Sequence, residues 1–334
     1  MKRDDKRKAQ ISNILDNIEL FSTTSPNVAD NLAKLWFLQA EQKSSIHPLY
    51  HLKPDSEQIM RTYLKKYQHD ERYIVLMIKN QNNQLIGYVE IWIWPYSPIS
   101  SITGLGRIQS YYFPNTAVRD QVLNYVIEML RNRVSFIFIR LDISQISDLQ
   151  VFHKKGFLCV QERWIEGERN DALLSPHPPS ITIQEAATKD FPQIVPLWSE
   201  HWKLHTQLHE IHAVKEGAEQ NWLKNAQENQ HTPFYRCFVA KNQKKEVVAY
   251  AEASISPYPS RYIIKNYGLI ETIQVHPSYR CQNIGQNLVK TIRQNYLNSN
   301  SPVLVTISNS NTLAQKFWAK VGFKRRQKHL YLRM

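Results

Sequence analysis

Glycine is scarce in this sequence, nine among 334 residues, so each glycine at a turn or helix junction carries more weight than usual. Cysteine is scarcer still. The three present, Cys159, Cys237 and Cys281, are odd in number, far apart and without a CxxC pair. That spacing argues against a disulfide framework and against a cysteine-based zinc site, and it suits a reducing compartment. No apolar run comes near the roughly 18 residues that span a bilayer, so no membrane segment is expected. Met1 to Gln10 carries charges of both signs and leads into no apolar core. A cleaved secretory signal is therefore not expected. The expected location is the cytoplasm, with export lacking a cleaved signal left open. The Lys-, Asn- and Gln-rich composition suits an AT-rich bacterial genome.

Hydrophobic residues make up 42% and aromatics 11%, enough for packed cores, and the length accommodates two ordinary domains. The net charge of +13 fits three readings: nucleic acid, a polyanionic small molecule, or plain solvation. The basic residues are scattered, apart from Lys320, Lys324, Arg325, Arg326 and Lys328, and no nucleic-acid motif accompanies them. Nucleic acid is the least favoured. A basic surface also disfavours a polycationic substrate.

The chain repeats itself. Gly87-Tyr88-Val89-Glu90-Ile91 followed by Pro95-Tyr96 parallels Ala249-Tyr250-Ala251-Glu252-Ala253 followed by Pro257-Tyr258, an offset of 250 − 88 = 162. Leu35-Trp36 and Leu197-Trp198 share that offset, and Gly156-Phe157 and Gly322-Phe323 lie 322 − 156 = 166 apart. Between the copies, Leu174 to Ser180 holds three prolines in seven residues, which bars helix and central strand alike. The expected organisation is a polar segment over 1–20, a first domain over 21–173, a linker over 174–180 and a second domain over 181–334. In the second copy the pattern predicts strands at Ile181–Glu185, Phe234–Lys241, Glu246–Ser256, Gly268–Val275, Pro302–Ile307 and His329–Met334. Helices are predicted from Lys189, over Ile284–Asn295 and over Thr312–Val321. The fold class is α+β, each copy a mixed, mostly antiparallel sheet flanked by helices.

Chemistry is concentrated where a strand ending at Val275 runs through His276-Pro277-Ser278-Tyr279-Arg280-Cys281-Gln282-Asn283 into a helix opened by Ile284-Gly285-Gln286. A helix start aims free backbone N–H groups and positive dipole outward, a site for a pyrophosphate. Gly285 permits close approach and Arg280 adds charge, while an ordinary strand–loop–helix is the plain alternative. Downstream lies Asn311-x-x-Ala314-x-x-Phe317-Trp318-x-Lys320-x-Gly322-Phe323, which an amphipathic helix with a glycine cap explains only in part.

The two stretches together resemble the paired signatures of the GNAT superfamily of acyl-coenzyme A-dependent N-acyltransferases. The resemblance covers residues 181–334. It implies acetyl-CoA as cosubstrate with no metal, and a splayed pair of strands that admits the pantetheine. It implies cofactor contacts from Ile273, Val275, Arg280, Cys281, Gln282, Asn283, Ile284, Gly285, Gln286, Asn311, Ala314 and Trp318. Asn283 stands where the family has the first loop glycine, and Asn tolerates the left-handed backbone better than most residues. Glu271 shares a strand face with Ile273 and Val275. It reads either as a surface glutamate or, by resemblance, as the base that deprotonates the amine, with Glu252 in reserve. The Val275 N–H is the implied donor to the thioester oxygen. Trp318 replaces the family's tyrosine acid, leaving Tyr258, Tyr267 and Ser310 as other donors.

By the same alignment the first copy has Gln109 at the base position and Phe152 at the tyrosine position, and its loop, Phe113 to Asp120, lacks glycine. This degenerate copy is expected to serve as scaffold or as a surface for a protein partner. His201, His205, His209 and His212 are expected along one helix face, solvated or bordering the acceptor pocket rather than holding a metal. The expected activity is acetyl transfer to a primary amine, on a small molecule or on a peptide or protein. The competing reading is a catalytically weak CoA-binding protein acting through protein contacts.

Overall fold

The computed structural model describes residues 18–20, 27–95, 99–167, 176–230, 232–297 and 301–334. Tyr96, Leu174, Ser175 and the charged start of the chain lie outside them. The first half runs β1 (Ile18–Leu20), α1 (Val28–Ser44), α2 (Ser56–Tyr67), β2 (Tyr73–Lys79), β3 (Leu85–Trp94), β4 (Leu105–Tyr112), α3 (Thr116–Leu130), β5 (Phe136–Asp142), α4 (Ile146–Lys154) and β6 (Leu158–Glu166). The second repeats that order: β7 (Thr182–Glu185), α5 (Phe191–Leu208), α6 (Ala218–Asn229), β8 (Tyr235–Lys241), β9 (Val247–Pro257), β10 (Asn266–Val275), α7 (Ile284–Asn295), β11 (Val303–Ser308), α8 (Thr312–Lys320) and β12 (Phe323–Arg333).

Side-chain pattern explains most of these elements. In α7, Ile284, Leu288, Val289 and Ile292 recur at helical spacing and are all buried, which draws one face of the helix onto the sheet. α6 escapes a reading of the sequence because its buried stripe is only Ala218, Trp222 and Ala226 in an otherwise polar segment. β12 is longer than the expected His329–Met334. Its first residues, Phe323 to Lys328, are a run of cations that hides a strand. Alternation sends neighbours to opposite faces: Arg325 meets Glu162 at 3.1 Å and Arg326 meets Asp142 at 2.7 Å. The basic cluster is thus divided by the sheet.

The two halves do not form separate sheets. All twelve described strands make one sheet in the order β1-β2-β3-β4-β5-β12-β6-β11-β10-β9-β8-β7. Each half lends its last strand to the other. β6 lies between β12 and β11, and β12 pairs with β5. Helices cover both faces: α3 with β-strand side chains and α7 with theirs build one pair of cores, and α1–α2 and α5–α6 build the pair on the opposite face. Two isolated bridges stitch the halves, Leu52 to Tyr262 and Ser100 to Val214. They are equivalents of one another, since 214 − 52 = 262 − 100 = 162. The repeat seen in the sequence is therefore a pseudo-twofold in space.

Candidate active-site cleft

A gap in the sheet is the centre of the site. β10 pairs with β11 in parallel only at Gly268–Val303, Leu269–Leu304 and Ile270–Val305. Beyond Ile270 both strands continue but no longer pair, and a cleft of about 630 Å³ opens between them, lined by Ile273, Val275, Thr306, Ser308, Asn311, Ala314 and Trp318 among others.

One bulge decides what faces that gap. On the β9 side, Ile270 sits opposite Ala253 and Thr272 opposite Glu252, so Glu271 is the extra residue. Gly268 donates its N–H to Pro302, on the β11 side, whereas His276 donates to Val248, on the β9 side. Plain alternation would give even-numbered residues one common direction, and the extra residue reverses it. The edge facing the gap therefore carries the amides of Ile273 and Val275, unpaired in the sheet. Glu271 itself projects into the cleft.

At the far end of β10 the chain takes left-handed conformations at Cys281 (φ 62°) and Asn283 (φ 59°). Asparagine does here what the missing glycine would do. α7 begins directly after Asn283 and has no side chain capping its first amides. The N–H groups of Ile284, Gly285 and Gln286 are thus free for an anion. Gly285 is fixed by packing: a Cβ there would come within 3.2 Å of Cε2 of Phe317. Arg280 bonds the carbonyl of Val275 at 3.1 Å and Glu200 at 3.3 Å and stays exposed beside the loop. Across the gap, Asn311 caps α8 by accepting from the Ala314 N–H at 3.0 Å. Gly322 closes that helix at φ +91°.

Glu271 reaches solvent through the cleft yet is surrounded by protein. Desolvation raises its pKa, opposed by the Ser254 hydroxyl at 2.6 Å and by the charge of Arg163. Glu252, the other carboxylate considered from sequence, is fully enclosed. Tyr235 and Trp222 donate to it at 2.7 and 2.9 Å, and burial raises its pKa. Its counterpart in the first half, Glu90, accepts from Tyr73 and Ser110 beside a matching bulge at Gln109. A glutamate kept the same way in both halves, one with and one without the uncapped loop, belongs to the bulge and not to the chemistry.

Every residue expected to touch the cofactor lines the cleft except Gln282, which lies in the same loop. Trp318 is buried, its ring 4.9 Å from that of Phe323. Tyr258 and Tyr267 pack edge to face at 5.9 Å on the β9–β10 hairpin, outside the cleft lining, and Ser310 is exposed at the start of α8. The four histidines do not share one helix face, because α5 ends at Leu208. His209 caps a 3-10 turn by accepting from Ile211 N–H at 3.1 Å. His201 and His205 do reach the cleft wall, their rings 4.3 Å apart. Burial, with help from neighbouring histidines, pushes the His201 and His212 imidazoles down to about 3, so both are neutral. Thr306, Ser308 and Leu313 also line the cleft and were not singled out from sequence, while Phe317 and Lys320, read there as part of the α8 pattern, line it too. Only the splay brings the β11 residues to it, and a splay leaves no composition signal.

Residues 194–323 match the Acetyltransferase (GNAT) family. A GCN5-related N-acetyltransferase from Sphaerobacter thermophilus shares the fold over 95% of this chain and 96% of its own, with TM-score 0.56 and 14% identity. The glucosamine N-acetyltransferase region of a fungal multi-domain GH3 β-N-acetylglucosaminidase has TM-score 0.53 and 12% identity over 94% of this chain and 38% of that one. At such identities the likeness is one of fold. No curated protein sequence matches the chain. Residues 194–323 thus match the GNAT acetyltransferase family, and the half before them repeats the same order of elements within a fold shared with a GCN5-related N-acetyltransferase.

Proposed function

We propose that the cleft between β10 and β11 transfers an acetyl group from acetyl-CoA to a primary amine by direct attack, with Glu271 as general base. The observation that carries this reading is the bulge, which sets a carboxylate of raised pKa beside two free strand amides and in line with an uncapped helix start. The amides of Ile284, Gly285 and Gln286, with Arg280, hold the pyrophosphate. The amides of Ile273 and Val275 hold the pantetheine, and the Val275 N–H meets the carbonyl oxygen as it gains charge. Asn311 shapes the start of α8 and Ala314 leaves room for the thiol arm.

Glu271 takes the ammonium proton, directly or through water, and the freed amine attacks the thioester carbonyl. Collapse breaks the C–S bond and releases the thiolate. The indole of Trp318 donates a hydrogen bond but does not titrate. With a thiol pKa near ~8.5, unassisted departure at neutral pH costs about 2 kcal/mol, a tolerable slowing. The test is release of free thiol from acetyl-CoA by the whole chain in the presence of an amine panel. Amine-dependent release that Glu271→Gln suppresses, with acetyl-CoA binding kept, supports transfer. Tight binding with no release from any amine supports instead a CoA-binding protein that acts by contact.

A further inference from the structure

Arg107 on β4, Arg140 on β5 and Arg163 on β6 converge on one face in the middle of the sheet. Arg107 is in register with Phe138, Arg140 with His329, and Arg163 with Gln327 on one side and Thr306 on the other. Residues in register share a face, as do residues two apart on a strand. The guanidinium carbons of Arg107 and Arg140 lie 5.9 and 5.7 Å from the centre of the Phe138 ring, and that of Arg163 lies 5.9 Å from Tyr267. Arg140 Nε donates to His329 Nε2 at 2.9 Å.

None of the three arginines has an ion-pair partner among the described residues, although Arg325 and Arg326 nearby both do. The carboxylates that face the cluster are committed elsewhere. Asp142 holds Arg326 and Tyr50, Glu90 holds Tyr73 and Ser110, and Glu271 holds Ser254. Arg163 Nε is buried and has no hydrogen-bond partner among the described residues. Guanidinium does not give up its proton in a protein, so three gathered positive charges without a counter-charge are costly until an anion joins them. Burial first, then the neighbouring guanidiniums, pushes the pKa of Arg107 and Arg140 down, the mark of that unmet charge. The cluster adjoins the cleft. Thr306, opposite Arg163, lines it, and the charge of Arg163 reaches the Glu271 carboxyl.

We propose that the amine acceptor also carries an oxyanion group, gripped by Arg163 with Arg140 and Arg107 behind it, while its amine faces Glu271. This rests on the cleft being the transfer site. It also gives the first half a task, since Arg107, Arg140 and Arg163 all belong to that half and only together with it is the acceptor site complete. A guanidinium fork suits carboxylate and phosphate alike.

Matched acceptors distinguish the two oxyanions and test the idea. Thiol release is compared for phenylalanine against phenethylamine, and for phosphoethanolamine against ethanolamine. One acidic member should exceed its neutral partner in kcat/KM by about tenfold or more, the worth of one charge-assisted hydrogen bond. Arg163→Met should remove that preference, lowering kcat/KM for the acidic member by about tenfold or more relative to its neutral partner, whatever common change the loss of its charge beside Glu271 brings to both. Equal turnover within both pairs, or a preference unchanged in Arg163→Met, overturns the proposal. A second readout does not need catalysis: melting temperature with and without sulfate, at saturating CoA. The wild type should gain stability from sulfate. Arg163→Met should melt higher than wild type without sulfate, because repulsion is relieved, and should gain less from adding it. A structural arginine would give the opposite sign. If no amine is acetylated, sulfate protection that Arg163→Met abolishes still upholds the anion site and refutes only the transfer reading. Identical protection in both proteins refutes the anion site.

Discussion

The two halves hold the same gap and fill it differently. In the first half β4 and β5 also part company, after Ile108 and Ile139, beside the same kind of bulge. There the gap is bridged by side chains. Tyr111 donates to Asp148 at 2.7 Å and Arg119 pairs with it at 2.8 Å, leaving a cavity of about 410 Å³ lined by these residues and Lys43. Asp148 occupies the place of Ala314, at the offset of 166 seen for Gly156 and Gly322. The turn before the helix is short, residues 113–115 against 276–283. Asn115 caps α3 by accepting from Val118 N–H at 2.9 Å, where α7 leaves its first amides free. Gln109 replaces Glu271. A backbone splay is thus part of the fold, and among the described residues the second half leaves it open as the cleft proposed for acetyl-CoA.

The largest effect should come from the residue that most separates the halves. Glu271→Gln imports the side chain of Gln109 and is expected to lower kcat/KM by about 10²–10⁴-fold, the range for a positioned base. Acetyl-CoA affinity by calorimetry should hold. The base works deprotonated, so a raised pKa places the rising limb of the pH–rate profile above the ordinary carboxylate range. The limb should vanish in the variant, and a limb that persists would assign it to another group.

Ala314→Asp imports the first half's plug into the second. A carboxylate set beside the thiol arm has no partner there, since the counterpart of Arg119 is Asn287 by position in the helix. Binding of acetyl-CoA should weaken about 100-fold, roughly 2.7 kcal/mol. The converse change, Asp148→Ala, strips Arg119 and Tyr111 of their acceptor. It is expected to cost about 2 kcal/mol of stability in denaturant unfolding, below the range for a fully buried pair. It should create no acetyl-CoA site, because α3 stays capped. Binding of a second equivalent by Asp148→Ala would break the comparison.

Much of this contrast was legible in the sequence. The offset of 162 located Gln109 opposite Glu271, and the bulges in β4 and β10 fall on those two residues. Asn283 was readable as a left-handed position because the chemistry of asparagine is local. What escaped reading was non-local. The exchange of β6 and β12 depends on which edge each half leaves open, and nothing in the local pattern of Leu158–Glu166 says that its partners are β11 and β12. The charges of Phe323–Arg333 concealed a central strand because their carboxylates, Glu162 and Asp142, come from the other half. Arg107, Arg140 and Arg163 looked scattered for the same reason: 107, 140 and 163 meet only after the strands are ordered.

The smallest effect concerns Trp318, whose counterpart is Phe152. Both are buried against the phenylalanine that follows the glycine cap, Phe323 and Phe157. The two halves therefore agree that this position packs. They differ in that Trp318 also lines the cleft, which on the proposed reading sets it near the departing sulfur. Trp318→Tyr trades part of that packing for a hydroxyl with an ordinary pKa near ~10, one that gives its proton to a thiolate more readily than indole does. If thiolate departure limits the rate, kcat should rise several-fold, bounded by the ~2 kcal/mol that unassisted departure costs at neutral pH. The gain should be largest at low pH, where a free thiolate is least stable. Unchanged or lower kcat, with folding intact by circular dichroism, would show that departure is not limiting. Position 318 would then serve packing alone, as position 152 does.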